Sequence, residues 1–137
     1  MLKGLNHLTI SVSDLNKSLD FYNGILEMEL KAKWDEGAYL ESGNLWLCLS
    51  VQTAQGLEKS AVRNYTHYAF TIEETDFECF KEKVLKSRTK IWKENKSQGK
   101  SIYFLDPDGH QLEAHVGNLK NRLESCKENP YRGMEFY

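Results

Sequence analysis

Polar and apolar residues alternate over residues 5–12, LNHLTISV, with Leu8, Ile10 and Val12 on one face and His7, Thr9 and Ser11 on the other. A period of two is that of a half-buried strand. Ser13 and Asp14 then offer an N-cap, and Leu15, Leu19, Tyr22 and Leu26 recur at helical spacing. Three extended runs follow, EMELKAKW, AYLES and NLWLCLS; the last sets Leu45, Leu47 and Leu49 against Trp46, Cys48 and Ser50. Residues 51–63 are polar and aperiodic and read as a linker.

The order then restarts. YTHYAFTI (65–72) predicts a strand with Tyr65, His67 and Ala69 on one face, and a capped helix follows with Phe77, Phe80 and Val84 in phase. After it come TKIW, a polar loop ENKSQGK, and SIYFLD and HQLEAHV flanking the turn Asp106-Pro107-Asp108-Gly109. The order βαβββ therefore occurs twice, in modules over 1–60 and 61–117, with a tail over 118–137 that carries a helical piece LKNRLESC and a turn near Pro130. His7 and His67 open the modules in matching contexts, NHLTI and THYAF, 60 residues apart. The expected fold is α+β: paired βαβββ modules whose mixed sheet curves into a cup, helices outside.

In such a cup the apolar strand faces pack on the helices. The other faces, with His7, Thr9, Trp46, Cys48, Tyr65, His67, Ser101, Tyr103, Glu113 and His115, look into a cleft too polar for a core. Glu113 and His115 share a face with Gln111, and a carboxylate there is costly unless paired or metal-bound. His7, His67 and Glu113 are the candidate metal set: two imidazoles and one carboxylate without thiolate, suited to Mn, Fe, Zn or Ni. His115 is the rival ligand, and His110, beside the turn, reads as a loop residue. The first-module position matching Glu113 falls on Trp46 or Cys48; neither is a carboxylate, so a fourth protein ligand is absent and the metal is left open.

Composition narrows the function. The 137 residues hold 28% charged and 40% hydrophobic side chains with a net charge of -2, and no basic block suggests a nucleic-acid partner. No apolar run approaches the roughly 20 residues of a membrane span. MLKGLNHLTI enters a strand pattern directly, without a hydrophobic signal core, so a cytoplasmic location is expected. The cysteines, Cys48, Cys79 and Cys126, stand at no metal-ligand spacing and read as reduced thiols.

The repeated βαβββ order with His, His and Glu resembles the vicinal oxygen chelate superfamily, which includes glyoxalase I, extradiol dioxygenases and bleomycin-binding proteins. GLNHLTISVSDL, WDEGAYLESGNLWLCLS, YTHYAF, WKENKSQGKSIYFLDPDGHQLEAHVGNL and PYRGMEFY resemble, more narrowly, the fosfomycin-resistance glutathione transferases of the FosA type. The resemblance implies a homodimer using Mn(II), with Zn, Ni, Co or Mg as other candidates, and activated by K⁺. Each site would take His7 from one chain and His67 and Glu113 from its partner. The substrates would be fosfomycin, an epoxide bearing a phosphonate, and glutathione, whose thiolate opens the epoxide while the metal polarises its oxygen.

The resemblance also distributes roles. Lys93, Ser97, Tyr103 and Arg122 would bind the phosphonate; Thr9 would reach the epoxide, making Thr9, Tyr103 and Arg122 the catalytic set. Trp46 and Tyr65 would wall the pocket, with Cys48 a small lining residue and Tyr39 near the entry of the thiol. Asn95, Ser97, Gly99 and Ser101 would form the potassium loop, where Gln98 replaces an acidic residue of the family. Relatives with another nucleophile are the rivals: water in an epoxide hydrolase, for which Glu41 is the nearest general base, or another thiol such as bacillithiol. A metal-free drug-sequestering protein would have no use for the three ligands together, and glyoxalase or dioxygenase activity would leave the phosphonate set unexplained.

Overall fold

The computed structural model describes residues 1, 3–52, 65–96 and 99–137. Nearly all of the expected linker, together with Ser97 and Gln98, lies outside the described residues. The chain divides into two compact units, Met1–Tyr65 with Asp106–His110, and Thr66–Leu105 with Gln111–Tyr137.

In the first unit, β1 (His7–Val12) leads to α1 (Leu15–Leu19), a π-helical stretch (Asp20–Ile25), β2 (Glu29–Trp34), β3 (Gly37–Ser42) and β4 (Leu45–Val51). The sheet order is β1-β4-β3-β2, with β1 parallel to β4. The alternation read from the sequence is the burial pattern. Ile10, Val12, Leu47 and Leu49 are buried and meet Leu15, Phe21 and Tyr22 in the core, whereas His7 and Thr9 are exposed. Asp14 alone caps α1, accepting from the Lys17 amide at 3.1 Å; Ser13 instead donates to Asp108. The single helix expected through Leu26 changes character at Asp20, where the Leu26 amide reaches back five residues to the Phe21 carbonyl. Leu15, Ser18, Phe21 and Tyr22 stay buried at ordinary helical spacing through the change.

In the second unit, β5 (Tyr68–Thr71), α2 (Phe77–Lys86), β6 (Ile91–Lys93), β7 (Ser101–Leu105), β8 (Gln111–His115) and α3 (Leu119–Glu128) form a sheet of order β5-β8-β7-β6. β5 is shorter than the eight residues expected, so His67 stands just ahead of the strand. The expected side-chain cap on α2 is also missing, since Asp76 makes no capping bond. α3 has a reciprocal cap between Asn118 and Asn121,.

The two ladders share one register. In the first, Thr9 pairs with Cys48 across β1 and β4, and Cys48 with Tyr39 across β4 and β3. In the second, Ala69 pairs with Glu113, and Glu113 with Tyr103. Thr9 and Ala69 each follow a module-opening histidine by two, so Cys48, not Trp46, is the counterpart of Glu113. Each sheet also carries one irregularity at the matching place, leaving Lys31 extra in β2 and Trp92 extra in β6. Such bulges re-aim the side chains beside them.

The turn between β7 and β8 belongs to the first unit. Asp106 is 5% exposed; one oxygen accepts from the Asp108 and His110 amides at 3.0 and 2.8 Å, and the other from the Tyr22 hydroxyl at 2.9 Å. His110 Nε2 lies 2.7 Å from the Ser11 carbonyl, so it donates there. His110 is thus a structural tie rather than a plain loop residue. Burial pushes the Asp106 carboxyl above the usual aspartate range, opposed by the His110 imidazole and by the bonds it accepts.

Tyr22→Phe leaves a buried carboxylate oxygen unpaired and is expected to cost about 1–3 kcal/mol, read from the urea midpoint at constant slope. Because the folded pKa of Asp106 lies above the unfolded value, its contribution is complete below the unfolded pKa and is lost as pH rises through the folded one. Asp106→Asn should remove that component, flattening the change in unfolding free energy between the two values relative to the parent.

Candidate metal centre

Glu113 sits in β8, flanked by β5 and β7, and only 6% of it is exposed. His67, just before β5, directs Nε2 at Glu113 Oε2 across 3.0 Å. The other oxygen, Oε1, accepts from the Ser101 hydroxyl at 2.6 Å. Ser101 Oγ also lies 2.7 Å from His115 Nδ1, because Ser101 and His115 face each other across β7 and β8. Ser101, assigned to the potassium loop by resemblance, thus lies in β7 with its hydroxyl turned to Glu113 and His115.

Around this pair stand groups that the bulge at Trp92 orients. The Trp92 ring lies 5.7 Å from the His67 ring and 5.4 Å from that of Tyr103, while its indole N–H donates to the Leu112 carbonyl at 3.1 Å. Lys93, next in the strand, carries its ammonium 4.6 Å above the buried Tyr103 ring, close enough for a cation–π contact. His67, Glu113, Tyr103 and Lys93 are therefore gathered in one unit. Arg122 lies in the first turn of α3, half-buried. Asn95 donates its side-chain amide to the Gly99 carbonyl at 2.7 Å, closing the loop of which Ser97 and Gln98 lie outside the described residues.

In the first unit, the remaining candidates line the exposed face of the other sheet. The His7 ring lies 4.5 Å from that of Trp46, which meets Tyr39 edge-on at 5.2 Å, and Tyr39 meets Trp34 at 4.7 Å. Thr9 is exposed and Cys48 half-buried; Tyr65 is exposed. Glu41, the candidate base of a hydrolase, is paired with Lys31 at 3.0 Å. All three cysteines are unbridged.

Trp92 and the Ser101–Glu113 bond were not anticipated from sequence. A tryptophan beside Lys93 in a three-residue strand gives no periodicity, and the serine's partner lies on another strand. Among the described residues of the single chain, no three His, Cys, Asp or Glu side chains gather as a metal site. The pair nevertheless fits a divalent cation. One nitrogen and one oxygen donor face each other at 3.0 Å, the spacing of two donors each about 2.1 Å from one ion and at a right angle to each other. The carboxylate is braced by a second hydrogen bond, from Ser101.

Similar proteins share both the sequence and the fold. The chain is 52% identical over 136 residues to the glutathione transferase FosA of Serratia marcescens, covering 99% of this chain and 96% of that protein. It is 40% identical over 145 residues to the metallothiol transferase FosB of Staphylococcus saprophyticus, covering 100% and 91% respectively. The crystal structure of the fosfomycin resistance protein FosX of Listeria monocytogenes, complexed with Mn(II) and sulfate, superposes with a TM-score of 0.79 at 30% identity, covering 91% of this chain and 98% of that one. The two four-stranded mixed sheets are those of the fold these neighbours share, and with residues 4–114 matching its family description, the chain belongs to the Glyoxalase/Bleomycin resistance protein/Dioxygenase superfamily.

Proposed function

We propose that the protein is a metal-dependent glutathione transferase that inactivates fosfomycin. One observation carries this reading: identity of 52% along 99% of the chain to a glutathione transferase FosA. The figures are 40% to a metallothiol transferase and 30% to FosX.

His67 and Glu113, joined by His7 of a second copy in a homodimer, would hold the divalent ion, with Mn(II) the preferred candidate. Bound there, the ion supplies Lewis acidity at the epoxide oxygen. Lys93, Tyr103, Ser97 and Arg122 bind the phosphonate. Lys93 and Tyr103 come from neighbouring strands, with the Lys93 ammonium over the Tyr103 ring, and Thr9 would border the epoxide. Trp46, Tyr39, Tyr65 and Cys48 shape the side by which glutathione enters. Its thiolate forms the carbon–sulfur bond as the carbon–oxygen bond of the epoxide breaks, and the released oxygen ends as a hydroxyl. The loop through Asn95, Ser97 and Gly99 would hold K⁺ near the phosphonate, with the Ser101 hydroxyl, in β7, left to Glu113.

The deciding experiment follows fosfomycin by mass with metal-stripped protein, adding Mn(II) and glutathione singly and together, with and without K⁺. An adduct formed only when both are present is the expected result. A diol without adduct would move the assignment to a hydrolase, and bound but unchanged fosfomycin to sequestration. His67→Ala should lower the Mn(II)-dependent rate at least 100-fold (about 3 kcal/mol, the cost of breaking a buried partnership). Lys93→Ala should lower kcat/KM for fosfomycin about tenfold or more, mostly through KM, since it removes charge-assisted binding to a group remote from the bond that breaks.

A further inference from the structure

We infer that His115 is a positioning residue for Glu113, acting through the Ser101 hydroxyl. The inference rests on the reading of Glu113 as a metal ligand. His115 Nδ1 lies 3.6 Å from Glu113 Oε1, too far for a direct bond, while Ser101 Oγ lies 2.7 Å from the imidazole and 2.6 Å from the carboxylate. A serine hydroxyl has one proton, and a carboxylate can only accept. Ser101 therefore donates to Glu113, and the bond from His115 must be donated by Nδ1–H. The chain of donation runs from His115 to Ser101 to Oε1, and it leaves Oε2 turned to His67.

The backbone around His115 is shaped to keep its ring in place. Gly99 and Gly117 have φ of +90° and +121°; a Cβ at position 99 would come within 3.1 Å of His115 Cε1, and one at 117 within 3.5 Å of Nε2. Both positions need glycine for their backbone angles, and both put bare main chain against the imidazole. With Nδ1–H committed to Ser101 and the far edge of the ring against these glycines, His115 serves the centre from behind Glu113 rather than as a ligand in it. Partners that orient a ligating carboxylate typically change metal affinity 10–100-fold.

The test is titration of Mn(II) alone into the metal-stripped protein by calorimetry, with circular dichroism as a check of folding. Ser101→Ala and His115→Leu are each expected to weaken Mn(II) about tenfold or more. The double variant should bind no worse than Ser101→Ala, since both changes cut the same chain of bonds. His115→Asn, whose amide can replace the Nδ1–H donor, should restore most of the affinity. Parent-like affinity in His115→Leu, or losses that multiply in the double variant, would overturn the inference. If His115→Leu does not fold, Ser101→Ala decides alone, because it deletes one oxygen and leaves the backbone glycines untouched; unchanged affinity there is likewise fatal. Glu113→Gln separates the two layers. If it binds Mn(II) as the parent does, the ligand reading falls and this inference with it. If it loses the ion while Ser101→Ala and His115→Leu keep it, only the role of His115 falls.

Discussion

The carboxylate of Glu113 lies in a strand flanked on both sides, where water barely reaches it, and both of its oxygens are bonded. A buried charge left alone costs several kcal/mol, so the surrounding sheet must supply partners with fixed geometry. The ladder does this directly. Pairing Glu113 with Tyr103 across β8 and β7 places Ser101 one step along the same face, and pairing it with Ala69 brings the residue two before it, His67, alongside. A one-residue slip of β8 would turn Glu113 onto the helix face and break its bonds to His67 and Ser101 as well as the core.

The same ladder in the other unit carries different chemistry. Cys48 occupies the place of Glu113, Tyr39 that of Tyr103, and Thr9 that of Ala69. The backbone plan, bulge included, is shared by the two halves, while the side chains have divided the work. One half presents a carboxylate braced by a histidine and a serine; the other presents a histidine against a tryptophan ring. At the place where the second sheet holds the Glu113 carboxylate, the first holds the Cys48 thiol.

Much of this was legible in the chain because strand alternation and the 60-residue spacing of His7 and His67 are local signals. They gave the element order, the exposed faces and the special status of Glu113. What stayed hidden was nonlocal. The partner of Ser101 is set by strand register, which no local pattern prints. The π-helical turn at Asp20–Ile25 leaves no mark in the apolar spacing, because Leu15, Ser18, Phe21 and Tyr22 are buried as an ordinary helical stripe would bury them. His110 looked like an ordinary turn residue because its acceptor, the Ser11 carbonyl, lies 99 residues away.

The turn that ties Asp106 to Tyr22 has a consequence for how the chain is made. Tyr22 is fully buried, and its hydroxyl has its acceptor 84 residues downstream. As the polypeptide emerges from the ribosome, β1 to β4 are complete long before residue 106 exists. At the usual pace of synthesis, roughly 5–20 residues per second, the interval lasts several seconds. Throughout it the first sheet has its strands but lacks the loop that closes over the Tyr22 hydroxyl and the Ser11 carbonyl. The N-terminal half is thus finished by a piece of chain that arrives among the last, and the nascent protein waits for its final third before either unit is whole.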